Sequence, residues 1–140
     1  MARYTHLCPM RWGDMDAYGH INNTAHLSYL EQARVDVFFT RATDLGIEGL
    51  ATGIVVAEHK IRYKVPIPYS PRPLRIELWV SQIKAASYTC DYEIWDDSGV
   101  GPVLTTVASS LLVPFDFAAH RLRRLTGPER DFLETCRDDG

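Results

Sequence analysis

From Thr24 to Ala42 the chain runs TAHLSYLEQARVDVFFTRA without a glycine or a proline, and Leu27, Leu30, Ala33, Val37 and Phe38 recur on one face at helical spacing. On the opposite face Ala25, Tyr29, Val35, Phe39 and Ala42 alternate with Ser28, Gln32 and Asp36, so the far side is half apolar as well. No other stretch offers a comparable helix. Whatever sheet the rest of the chain forms must therefore bury its apolar face against this one element. Arg34 projects close to the centre of the main stripe, and Glu31, one turn earlier, is expected to pair with it and shield the guanidinium.

The remainder reads as strands. Residues 4 to 12 suit a short strand. After the loop DLGIEGLATG, residues 54 to 65 alternate, with Val55, Ala57, His59, Ile61, Tyr63 and Val65 on one face and Glu58, Lys60, Arg62 and Lys64 on the other. The proline-rich break VPIPYSPRP separates this strand from residues 74 to 84, which alternate through Leu74, Ile76, Leu78 and Val80. Residues 88 to 96 alternate through Tyr88, Cys90, Tyr92 and Ile94; DDSG at 96 to 99 suits a turn, and 103 to 115 form a last long strand closed by Pro114. Thr126 with Glu129 makes a capping box, and Pro128 fits the first turn of a short helix over about 127–137. The plan is α+β: an antiparallel sheet wrapped around one long central helix, in a single domain over residues 1–140.

At 140 residues the chain can bury a core without disulfides, and its 46% hydrophobic and 24% charged residues are ordinary for a globular protein. A net charge of -3 supplies no broad basic surface, so a nucleic-acid partner is not expected. The start MARYTHLCPMRW lacks the pattern of a secretory signal, and no stretch reaches membrane-span length, so the expectation is a cytoplasmic protein with no membrane partner. Cys8, Cys90 and Cys136 are far apart and unpaired in motif, and read as reduced thiols in the core.

The polar groups concentrate in RWGDMDAYGHINN, residues 11 to 23. Asp14, Asp16 and Gly19 match positions one, three and six of a calcium loop, but Tyr18 and Ala25 stand where two further oxygen ligands belong, so that reading fails. A transition-metal set of Asp14, Asp16, His20 and His26 fits no recognised spacing, and no metal is expected. The plain structural reading is that Asn22 or Asn23 caps the long helix, Gly19 permits a turn, and the acids favour the positive end of the helix dipole. The chemical reading is that free N–H groups at the same helix start hold a developing oxyanion beside an acid, which is half of an acyl-transfer site.

The segment WGDMDAYGHINNTAHLSYLEQAR resembles the N-terminal signature of the hotdog-fold acyl-CoA thioesterases related to 4-hydroxybenzoyl-CoA thioesterase: acid-x-acid, a glycine, and a long helix ending in Glu-x-x-Arg. IRYKVPIP, PLRIELWV, the DDSG hairpin and the final strand follow that family's element order over roughly the first 115 residues. The resemblance implies hydrolysis of acyl-CoA without a cofactor, with Asp16 as the catalytic carboxylate, the backbone N–H of Asn23 polarising the carbonyl, and Asp14 in support. It also implies a homodimer or homotetramer. Substrate contacts are expected from Tyr18, Gly19, His20, Ile21, Asn22 and Tyr63, with Tyr29 a further candidate for the acyl pocket. Coenzyme A phosphates need cations, and Arg62 with the cluster Arg121, Arg123 and Arg124 are the candidates preferred over Lys60, Lys64, Arg72 and Arg75. Gly-His-x-Asn-Asn is familiar in one branch, whereas other members carry apolar or aromatic residues at His20 and Asn22. A hotdog dehydratase would need Asp-x-Asn-Pro-x-His, which Asp16, Ala17 and the spacing from Asp14 to His20 contradict. Two alternatives stay open: a non-catalytic acyl-CoA binder, and a thioesterase that acts on acyl carrier protein.

Overall fold

The computed structural model describes residues 3–138. Strand β1 (Tyr4–Cys8) leads through a 3-10 turn (Trp12–Asp14) to helix α1 (Asn23–Arg34). The coil continues as a π-helical stretch (Val35–Arg41) and one last α turn, α2 (Ala42–Asp44). After α3 (Gly49–Thr52) come β2 (Ile54–Tyr63), β3 (Leu74–Lys84), β4 (Ser87–Asp96), β5 (Val103–Asp116), the two-residue β6 (Arg121–Leu122) and α4 (Gly127–Thr135). The sheet order is β1-β3-β4-β5-β2, antiparallel throughout, with β6 added to β5.

This curled sheet wraps the long helix, as the shortage of other cover requires. Along β4 alternate residues Tyr88, Cys90, Tyr92 and Ile94 are buried; Leu74, Ile76 and Leu78 of β3 and Leu112 of β5 join them. Against them lie Leu30, Ala33, Val37 and Phe38 of the helix, with Phe38 edge-on to Tyr88 at 5.4 Å. Each fully buried side chain of this size contributes about 1.5–3 kcal/mol.

The buried stripe differs from the expected one at its start. Leu27 is 37% exposed, and His26 and Tyr29 lie inside instead, because each finds a hydrogen-bond partner there. The π-helical stretch turns Val37 and Phe38 inward and leaves Phe39 exposed. Strand β2 also departs from simple alternation: a bulge between Val56 and Glu58 shifts its register against β5, and Val56, Ala57 and His59 are exposed. It is an edge strand, bonded to β5 alone, and Ile54 and Ile61 are its main anchors in the core. The C-terminal helix starts as the capping box requires, Thr126 Oγ1 accepting from Glu129 N–H and Glu129 accepting from Thr126 N–H.

The expected pairing of Arg34 with Glu31 is not formed. Arg34, 9% exposed, donates to Tyr92 Oη at 3.1 Å, while Glu31 faces outward. Tyr92 in turn donates to Ser110 Oγ at 2.8 Å, and Ser110 meets His59 Nδ1 at 2.7 Å. The guanidinium reaches across the core to a sheet hydroxyl because its own helix face leaves Glu31 on the solvent side. Tyr92→Phe would leave a buried cation short of an acceptor and should cost about 1–3 kcal/mol in urea denaturation, whereas Glu31→Ala should stay within about 0.5 kcal/mol of wild type.

Candidate active site

The loop between β1 and α1 is built from backbone bonds, which fix where its side chains project. Asp16 N–H donates to the His20 carbonyl at 2.9 Å, Gly19 N–H to the Asp16 carbonyl at 3.2 Å, and Tyr18 N–H to Asp16 Oδ1 at 2.9 Å. Gly19 sits at φ +80, in the left-handed region that a side chain would strain. Ile21 N–H then donates to the Ile67 carbonyl at 2.8 Å, and His20 bridges Pro68, so the proline-rich segment after β2 braces the loop. Asn22 is the N-cap of α1, its Oδ1 accepting from Thr24 N–H at 2.9 Å.

The two acids go to different places. Asp14 accepts from Tyr29 Oη at 2.6 Å and from Arg11 Nη2 at 2.9 Å, and its carbonyl accepts from Asn22 N–H at 2.8 Å. The Arg11 guanidinium and the Tyr29 hydroxyl hold the Asp14 carboxyl below its ordinary range, against a smaller opposing effect of burial. Asp14 thus ties the loop to the helix. Asp16 instead lines an open cavity of about 370 Å3, together with Tyr18, His20, Ile21, Asn23, His26 and Tyr63. Apart from the turn bond to Tyr18, the Asp16 carboxylate has no partner among the described residues.

Asn23 opens α1 on the same cavity. As the first helical residue its N–H has no intrahelical acceptor, and it donates to no other described residue. Tyr63 Oη donates to the Asn23 carbonyl at 3.1 Å, and the Tyr63 ring stands edge-on to His26 at 5.0 Å. A thioester carbonyl oxygen at the Asn23 N–H would meet both an unengaged donor and the positive end of the helix dipole, with an acid beside it.

Of the residues singled out in the sequence, Asp16, Asn23, Tyr18, His20, Ile21 and Tyr63 share this cavity. Gly19 shapes the turn. Asn22 faces a neighbouring recess with Arg11 and Asp14. Tyr29 is 4% exposed, engaged with Asp14 and absent from the cavity. Arg62 points to another hollow, beside Lys60 and Asp91, because neighbours on a strand alternate faces. Arg123 is held by Glu129 at 2.8 and 3.0 Å and donates to the Gly49 and Gly53 carbonyls, so it braces α3 against α4. Arg121 and Arg124 are exposed beside it, near the Gly53 end of β2 and away from Tyr63. Arg75 is engaged by Asp97 and Glu77. The sequence does not single out His26 for substrate chemistry; it enters there only in the conceivable metal set, and the fold turns it to the cavity.

Cys8, Cys90 and Cys136 are all buried, and burial pushes each thiol up, Cys8 to about 11, so none is poised as a nucleophile. Among the described residues no group of His, Cys, Asp and Glu is placed to hold a metal, so the conceivable set of Asp14, Asp16, His20 and His26 does not converge. Among the described residues no helix is long and apolar enough to cross a membrane.

The model of the thioesterase-like superfamily matches residues 10–129. Among solved structures, a predicted thioesterase from Bacillus stearothermophilus superposes with a TM-score of 0.83 at 22% identity, covering 99% of each chain. A thioesterase from Thermus thermophilus, complexed with coenzyme A and Zn, gives 0.77 at 21% identity over 94% of this chain and 92% of that one. A DHNA-CoA thioesterase from Staphylococcus aureus gives 0.77 at 23% identity over 96% of this chain and 89% of that one. No match is found among the curated proteins. The likeness to these structures is one of fold.

Asp14 sets a pH test. Its folded pKa lies below the ordinary 3.8, so its contribution to stability is present above that value and is lost as the pH falls through the folded pKa. Asp14→Asn should lower stability at neutral pH and flatten the acid limb below about pH 4 in a series of chemical denaturations. Tyr29→Phe should show a smaller form of the same change.

Proposed function

This chain belongs to the thioesterase-like superfamily, and we propose that it hydrolyses acyl-CoA thioesters to the free acid and coenzyme A. The observation that carries the reading is the meeting of Asp16 and the unengaged Asn23 N–H on one cavity with apolar walls from Ile21, Tyr18 and Tyr63. In this reading Asp16 either attacks the carbonyl carbon to give a mixed anhydride or takes a proton from the attacking water. The Asn23 N–H stabilises the oxygen as it gains charge, by about 3 kcal/mol. The coenzyme A thiol, with a pKa of about 8.5, leaves as thiolate without a dedicated acid. Support for coenzyme A as carrier comes from the neighbours whose structures hold it or whose name includes it. The acid-x-acid motif before the helix supports membership of the 4-hydroxybenzoyl-CoA thioesterase branch.

The enzyme in this reading is a cytoplasmic homodimer or homotetramer. The free edge of β2, with Val56 and Phe39 exposed beside it, supplies a surface on which two copies can add strand to strand. Antiparallel pairing of the two edges would set the Gly53 end of one strand, with Arg121 and Arg124, toward the Tyr63 end of the other. Those arginines, with Arg62, are the proposed ligands of the coenzyme A phosphates; Arg123 serves by holding that segment in place.

Asp16→Asn should lower kcat for thiol release from acyl-CoA by about 10²–10⁴-fold; full activity in that variant would overturn Asp16 as the catalytic group, and a wild type that releases no thiol would leave a binding protein as the better reading. A marked preference for the same acyl group on a carrier protein would overturn coenzyme A. The oxyanion role has its own test, because proline is well tolerated at the first position of a helix and the residue before it, Asn22, is already extended at ψ 143. Asn23→Pro removes the N–H together with the exposed carboxamide, and relative to Asn23→Ala, which keeps the N–H, it should cost about 10²–10³-fold in kcat with the melting temperature nearly kept.

A further inference from the structure

His26 lies on the first turn of α1, 4% exposed, with Nδ1 at 3.0 Å from the Asn22 carbonyl oxygen. A carbonyl can only accept, so Nδ1 carries the proton and Nε2 carries a lone pair. Nε2 has no hydrogen bond among the described residues, and none of their fully buried side-chain nitrogens or oxygens lacks a partner. Nε2 is therefore open to the cavity that His26 lines with Asp16, Asn23 and Tyr63. The Tyr63 ring, edge-on at 86°, and the bond to Asn22 fix the imidazole plane, so the lone pair has one direction.

A structural histidine on an apolar helix face would turn both nitrogens to protein partners. This one ties down the nitrogen that sets its tautomer and presents the other, basic one to the cavity that the candidate acid also lines. We propose that His26 is the general base of the hydrolysis, taking the proton of the attacking water at Nε2. This rests on the thioesterase reading above, and it assigns Asp16 the nucleophile's part. First an Asp16 carboxylate oxygen bonds to the acyl carbon, the carbon–sulfur bond breaks and the thiolate departs. Then water bonds to the acyl carbon of the anhydride, its proton passes to Nε2, and the bond from acyl carbon to Asp16 oxygen breaks. The carboxylate is restored, the acid is released, and the imidazolium returns its proton to the thiolate or solvent.

Burial pushes the His26 pKa below its ordinary 6.5, partly offset by the bond to Asn22, so the ring stays neutral through neutral pH. The titratable groups that line the cavity with it are Tyr63 from β2, which touches the ring, Asp16, Tyr18 and His20 from the loop, and Lys64 after β2. Turnover should therefore fall in acid, below pH 6.5, as the ring takes up a proton.

The test uses the full chain and acyl-CoA with continuous detection of thiol. In His26→Phe and His26→Gln the first step survives and the second slows, so each should release a burst of one thiol per site and then turn over about 10²-fold more slowly, with the acid limb of the pH profile gone. Asp16→Asn should abolish the burst as well. A folded His26→Phe that keeps kcat within about twofold, or keeps the acid limb, overturns the proposal. Should both variants fail to fold, nitrogen NMR of the wild-type imidazole decides it: a proton on Nδ1 supports the assignment, and a proton on Nε2 refutes it. A wild type that releases no thiol from any acyl-CoA overturns the hydrolase reading itself; an active wild type with unaltered His26 variants overturns this inference alone.

Discussion

One helix must cover an entire sheet, and most of what is distinctive in this chain follows from that constraint. Strands β1, β3, β4, β5 and β2 all turn side chains toward one face of α1 and its π-helical extension, so that face has little surface to spare for water while the other stays exposed. A charged residue on that surface has to find its partner inside. Arg34 does so through Tyr92, and the chain of hydroxyls continues through Ser110 to His59 on the edge strand. Such a chain is favourable only when every member is satisfied, and it joins helix, sheet centre and sheet edge into one unit.

The same constraint fixes the helix start, and with it the site. Because α1 is clasped along its length, its first N–H groups are held at one place relative to β2 and the proline-rich segment. The loop before it is then tied from both sides, by Asp14 to Tyr29 and by Ile21 to Ile67. Two chemically identical side chains, two residues apart, acquire opposite tasks: Asp14 is spent on structure, and Asp16 is left facing an open cavity. A rigid frame around a sparsely bonded carboxylate is the condition under which an acid can act on a substrate.

Much of this is legible in the residues, for identifiable reasons. Strand β4 announces itself because it is buried on one face and alternates cleanly, and β3 does the same from Leu74 to Leu78. The terminal helix does so because Thr126 and Glu129 satisfy each other locally. Strand β2 is less legible: the bulge at Val56 breaks the period, and an edge strand is not obliged to bury every second residue. Spacing misjudges the partner of Arg34, since one helical turn makes Glu31 available without making it better than a hydroxyl across the core. Leu27 and His26 exchange places for a related reason, as hydropathy ranks leucine inside while the Asn22 carbonyl and Tyr63 reward the imidazole.

The sequence by itself determined what depends on neighbours along the chain: the helix, the period of the strands, the caps, the turn at Gly19, and the presence of two acids before a helix start. Only the tertiary structure decided which acid is tied down, that Arg123 braces α3 against α4, and that His26 opens its free nitrogen to the cavity of Asp16. Those outcomes depend on groups from β2, β4 and the segment after β2, brought near by the curl of the sheet. Periodicity records which face is buried, but not what waits on the other side of the core.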